Sequence, residues 1–73
     1  MKDLTDRQRE ILQAIIAHIA RYGFPPTFRE LAALVNIKTT RGILIQLRAI
    51  EKKDYIKLHH TARGIQILRN PND

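Results

Sequence analysis

No cysteine occurs among the 73 residues. That excludes disulfide staples and thiolate metal sites, and it fits a reducing compartment. No apolar run approaches the ~18 residues of a membrane span, and the N-terminus lacks a signal-peptide core. The expectation is a cytoplasmic protein with Met1 as its natural start and no membrane partner. No nucleophile–base pattern, paired carboxylates or phosphate-cradling glycine loop is present, so no enzymatic activity is expected. His59 and His60 are adjacent, which is poor geometry for chelating one ion, and His18 reads as a solvated surface residue. Neither a metal nor a cofactor is expected. Internal repeats and low-complexity segments are also missing. The length allows one domain, and a domain this small buries only about 60% of its unfolded-chain surface.

Acidic residues are scarce where basic ones are plentiful. The net charge is +6. Eight of the thirteen Lys and Arg but only three of the seven Asp and Glu fall in residues 38–73, a balance of +5 against +1 before it. Such asymmetry is the electrostatic footprint of a nucleic-acid binder. The alternative on charge alone is a merely solvated surface.

The order of elements is legible from caps and periodicity. Thr5 and Gln8 have capping-box spacing, with Leu4 just before as a hydrophobic staple. Ile11, Leu12, Ile15, Ile16, Ile19 and Tyr22 then recur at helical spacing as one apolar face. Gly23 supplies a left-handed stop, and Pro25-Pro26 force an extended crossing. Thr27 and Glu30 form a second capping box, opening a short helix through Leu31, Ala32, Leu34 and Val35. Asn36 tolerates the left-handed turn that must follow, Ile37 anchors that turn in the core, and Thr39 or Thr40 caps a third helix reaching about Lys53. Tyr55–Leu58 and Ile65–Leu68 read as two strands of a hairpin. The predicted fold is mainly α: a winged helix-turn-helix of three helices followed by a two-stranded antiparallel hairpin, the wing. Residues 1–69 form the domain, and 70–73 read as a tail or the start of a linker.

Two helices crossing at a steep angle, the second facing solvent, make the unit that places a helix in the DNA major groove. Projected at about 100° per residue from Ile43, Leu47 falls at about 40° and Ile50 at about −20°, defining the core stripe. On the same projection Leu44 lies at about 100°, Arg48 at about 140°, Arg41 at about 160°, Lys52 at about 180° and Ile45 at about 200°. Arg41, early on the helix, is placed to bond guanine O6 and N7 in a bidentate fork. Arg48 and Lys52 suit phosphates, which position a protein without reading sequence. Three readings of Ile45 stay open: an isolated exposed apolar residue, a contact to a thymine methyl, or a protein–protein patch shared with Leu44. If the wing lies along a backbone, protonated His59 or His60 adds phosphate contacts at low pH.

The opening Met1-Lys2-x-Leu4-Thr5-x-Arg7-Gln8-x-Glu10, the run Gly23-x-Pro25-Pro26-Thr27-x-x-Glu30 with Ala32, and Leu47, Ala49, Lys53, Ile56 and Arg63-Gly64-Ile65 together resemble the N-terminal DNA-binding domain of the LexA family, the bacterial SOS-response repressors. The resemblance runs from Met1 to about Leu68, with a wing turn about one residue shorter. It implies double-stranded DNA as partner, transcriptional repression as function and a bacterial or phage source. It also implies that the start of the third helix reads bases, here through Thr39, Arg41, Gly42, Leu44 and Ile45. Thr27, Lys38, Thr40, Arg48, Lys52, Lys53 and Arg63 are the expected backbone contacts. Leu44 and Ile45 stand where the family has acids, which points away from its usual SOS operator. Gly42 weakens the helix by about 1 kcal/mol relative to Ala, a cost consistent with letting backbone approach DNA. The family's second domain, a self-cleaving Ser–Lys peptidase that also dimerises, has no counterpart in these residues. The chain is therefore expected to be monomeric in isolation, with dimers arising on DNA or through such a domain, and to be either a fragment or a stand-alone relative. The alternative function is a protein-interaction module that uses Leu44 and Ile45 to bind another regulator.

Overall fold

Each of the three helices opens on a threonine whose side chain accepts from a backbone N–H that the helix itself leaves unpaired. In the computed structural model, which describes residues 3–71, these helices are α1 (Asp6–Tyr22), α2 (Phe28–Leu34) and α3 (Thr40–Lys52). Thr5 and Thr27 both form complete capping boxes, with Gln8 and Glu30 respectively. Thr39, not Thr40, caps α3, accepting from the Gly42 N–H at 3.0 Å. Met1, Lys2, Asn72 and Asp73 lie outside the described residues, so the first two positions of the family-like opening and the far end of the expected tail have no structural account.

The stops are as local as the starts. Gly23 ends α1 at φ 84°, and Asn36 takes φ 63° in the turn after α2. Asp54 adds a second left-handed non-glycine residue, at φ 66°, where the chain leaves α3. Strands β1 (Ile56–Leu58) and β2 (Ile65–Ile67) pair antiparallel, with Ile56 opposite Ile67 and Leu58 opposite Ile65. The architecture is thus the predicted three helices and hairpin.

The core gathers one stripe from each element: Leu4, Ile11, Leu12 and Ile15 around α1, Leu31, Ala32 and Val35 around α2, Ile43, Leu47 and Ile50 from α3, and Tyr55, Ile56 and Ile65 from the hairpin. Fully burying a side chain of this kind contributes about 1.5–3 kcal/mol. Three expectations change. Tyr22, read as the last residue of α1's apolar face, is 54% exposed. Gly23 turns the chain there, and the Tyr22 ring packs outside the core against His18 (4.6 Å between centroids) and Phe24 (6.2 Å). His18 is correspondingly more than solvated: its Nδ1 lies 2.8 Å from the Phe24 carbonyl oxygen. The expected tail is also partly docked, because Pro71 is buried and its carbonyl accepts from Arg9 Nη1 at 2.7 Å.

Candidate nucleic-acid interface

The α2–α3 turn is fixed from inside. Ile37 N–H donates to the Ala32 carbonyl at 2.8 Å, and the Ile37 side chain packs on the core. Gly42 belongs to the same packing. A Cβ there would lie 3.0 Å from Ile37 Cγ2 and 3.1 Å from Thr39 Oγ1. The missing side chain therefore faces the turn, and tight internal contact, not an approach from outside, is what the structure shows for this glycine.

The helical projection of α3 agrees with its burial. Ile43, Leu47 and Ile50 are completely buried, and Leu44 sits at the border. Ile45 is 62% exposed, and Lys38, Thr39, Thr40, Arg41, Arg48 and Lys52 are exposed with it. This excludes Ile45 from the core.

The cations divide by what they already touch. Arg7 donates to Glu10 and to the Val35 carbonyl, Arg9 to the Pro71 carbonyl, and Arg69 to the Lys53 carbonyl while lying 4.1 Å over the Tyr55 ring. Lys53, an expected phosphate contact, instead donates at 2.7 Å to both the Asp3 carbonyl and Gln8 Oε1, tying the end of α3 to the chain before and within α1. Arg63, another expected phosphate contact, donates to both Glu30 carboxylate oxygens and to the Pro25 carbonyl, and lies 4.5 Å over the Phe24 ring. Among the described residues, Lys38, Arg41 and Arg48 have no such protein partner. A cation without an internal partner keeps its donors for a ligand.

The cap threonines keep a donor too. Thr27 and Thr39 each accept one backbone N–H through the hydroxyl oxygen. A hydroxyl that accepts still has its own O–H to donate, so both keep a donor for a ligand.

The wing is held against these helices at both sides of its turn. Leu58 N–H donates to Glu51 Oε2 at 2.8 Å, coupling β1 directly to α3. On the other side Arg63 pairs with Glu30 at the start of α2. His59 Nε2 lies 2.8 Å from Gln66 Oε1, and His59 N–H donates to the Gly64 carbonyl at 2.7 Å. A groove lined by Phe28, Leu44, Arg48, Glu51 and the turn residues His59, His60 and Thr61 runs between α3 and the wing. Two of its contributors were missed by sequence reasoning. From the sequence Glu51 is only one of the three acidic residues of positions 38–73. Phe28 follows a helix cap directly, and that position carries no periodic signal.

The Arg63 guanidinium beside Glu30, and next the Thr27 N–H bonded to the same carboxylate, lower the Glu30 pKa from its ordinary 4.5 to about 2. A depressed folded-state pKa stabilises above the ordinary value, and that contribution is lost as pH falls through the folded one. The ion pair's contribution should therefore be complete above pH 4.5 and be lost towards about pH 2. An NMR titration of the Glu30 carboxylate should show a midpoint near 2, returning towards 4.5 in Arg63→Ala. A midpoint already near 4.5 in the unaltered protein would contradict the pairing.

Comparison with known proteins adds a family to this geometry. Residues 1–64 match the family model of the LexA DNA binding domain. The chain is 42% identical over 67 residues to a LexA repressor of Pseudothermotoga lettingae, covering 92% of this chain and 33% of that protein. It is 46% identical over 69 residues to the LexA repressor of Methylococcus capsulatus, covering 93% and 34%. Against the LexA repressor of Leptospira interrogans it is 46% identical over 70 residues, covering 94% and 34%. The chain thus spans about a third of the length of the curated relatives it matches.

Proposed function

Because this chain belongs to the LexA DNA-binding domain family, we propose that it binds double-stranded DNA sequence-specifically as a transcriptional repressor domain, with α3 in the major groove and the wing along the backbone. The observation that carries this reading is the exposed strip of α3 and its preceding turn. Lys38, Arg41 and Arg48 keep their donors there, while Arg63 and Lys53 hold the scaffold. Arg41 reads a guanine, and Thr39, Leu44 and Ile45 complete the base-facing set. Thr27, Lys38, Thr40, Arg48 and Lys52 face phosphates. Gly42 shapes the turn that presents them. The operator differs from the family's usual SOS site, since Leu44 and Ile45 cannot hydrogen-bond to bases.

A salt titration of duplex binding tests this directly. Neutralising three or four phosphates gives a slope of log K against log salt of about −3. An affinity independent of salt would remove DNA from the picture. The 73-residue chain is also proposed to be monomeric at micromolar concentration and to occupy a single half-site weakly, because linking two modules is what raises the effective concentration at the second site. Sedimentation showing a tight dimer would overturn that second point.

A further inference from the structure

The two-residue apolar step Leu44–Ile45 does not stand alone. Phe28, from the first turn of α2, joins Leu44 and Ile45 in one concavity whose remaining walls are Thr40, Arg41 and Arg48. Phe28 and Leu44 are half-buried, and Phe28 packs on the core, so the floor is preformed. Ile45 forms the outer lip, and the two arginines flank the opening. On a protein-docking surface the two flanking cations without internal partners would call for acidic groups in the partner. A duplex meets the whole arrangement at once, because its phosphates and guanine edges suit the arginines while its major groove carries one apolar substituent, the methyl at pyrimidine C5.

We propose that this notch receives the C5-methyl group of a pyrimidine lying within two base pairs of the guanine read by Arg41. Arg41 and Ile45 are one helical turn apart, where Cβ atoms lie about 5–6 Å from each other. Stacked bases rise 3.4 Å per step along a strand, so the two side chains serve base pairs one or two steps apart. The chemistry recognised is the methyl itself. Thymine carries it always, and cytosine carries it when methylated at C5. The proposal rests on the DNA-binding reading above and adds a specific chemical group to it.

The test begins with selection of a preferred duplex from a random pool by the 73-residue chain. Every thymine of that duplex is then replaced singly by uracil, and every cytosine singly by 5-methylcytosine, with affinity measured by fluorescence anisotropy at fixed salt. Burying one methyl group contributes about 0.8 kcal/mol, which is a factor of about four. One position, within two base pairs of the guanine whose preference Arg41→Ala abolishes, should therefore lose about fourfold on removal of the methyl or gain as much on its addition. Loss identifies thymine as the source, gain identifies methylated cytosine. Ile45→Ser should erase this sensitivity and Ile45→Val should keep it, both with unchanged thermal melts. An enriched duplex with no methyl-sensitive position sinks this inference alone. So does a sensitivity that survives Ile45→Ser, or a serine variant that binds DNA normally but loses a protein partner. A pool from which no duplex is enriched sinks the DNA-binding reading and this inference with it.

Discussion

Arg41→Ala should weaken binding to the preferred duplex by about 1–3 kcal/mol, roughly five- to 150-fold, and flatten base preference at one position. The argument begins with availability. Arg41 is exposed in the first turn of α3 and engages no carboxylate or carbonyl among the described residues. A guanidinium can meet guanine O6 and N7 with two parallel bonds, and no other base offers that pair of acceptors. Losing the fork should therefore cost affinity on the guanine-bearing site and little elsewhere. Lys38→Ala gives the necessary contrast. Lys38 sits in the exposed turn before α3, and an ammonium on a phosphate reads no base. Its loss should weaken all duplexes alike and reduce the salt slope by about one. Anisotropy titrations on a set of single-position duplex variants separate the two. Equal, sequence-independent losses from both substitutions would show that Arg41 only positions the protein.

The second large effect concerns stability. Ile43 and Ile45 are two residues apart on the same helix, but Ile43 is 0% exposed and Ile45 62%. Truncating a buried isoleucine to alanine costs about 2–5 kcal/mol, from lost transfer energy and the cavity left behind. Folded domains are stable by only about 5–15 kcal/mol in all, and one of this size sits low in that range. Ile43→Ala should therefore lower the melting temperature by about 10 °C or more, and Ile45→Ala should leave stability within about 0.5 kcal/mol. Paired thermal melts decide it. Similar losses from both would mean that α3 is rotated from the orientation on which the base-reading set depends.

What could be read from the sequence follows the range of the interaction. The capping boxes Thr5–Gln8 and Thr27–Glu30 are three-residue patterns, and both form. Asn36 announces its left-handed turn by residue type alone, and the inside and outside of α3 follow from helical period. The partners of long side chains were not legible, because they depend on residues far away in the chain. Arg63 finds Glu30 across 33 positions, Lys53 finds Gln8 across 45, and Arg9 finds Pro71 across 62. The charge asymmetry counted Lys53 and Arg63 towards DNA, although both hold the scaffold. Tyr22 shows the same limit in an apolar residue. Periodicity put it on the core face, and the ring cluster formed after Gly23 drew it outside.

The double attachment of the wing bears on how the domain breathes. A pair of three-residue strands is marginal by itself in water, and local opening draws on whatever contacts a segment shares with its neighbours. Here Leu58 is bonded to α3 and Arg63 to the start of α2. The hairpin cannot lift away without also releasing Glu51 and the carboxylate that closes the second capping box. The two anchors are thereby expected to slow amide exchange in β1 relative to a free hairpin, and Arg63→Ala should quicken it.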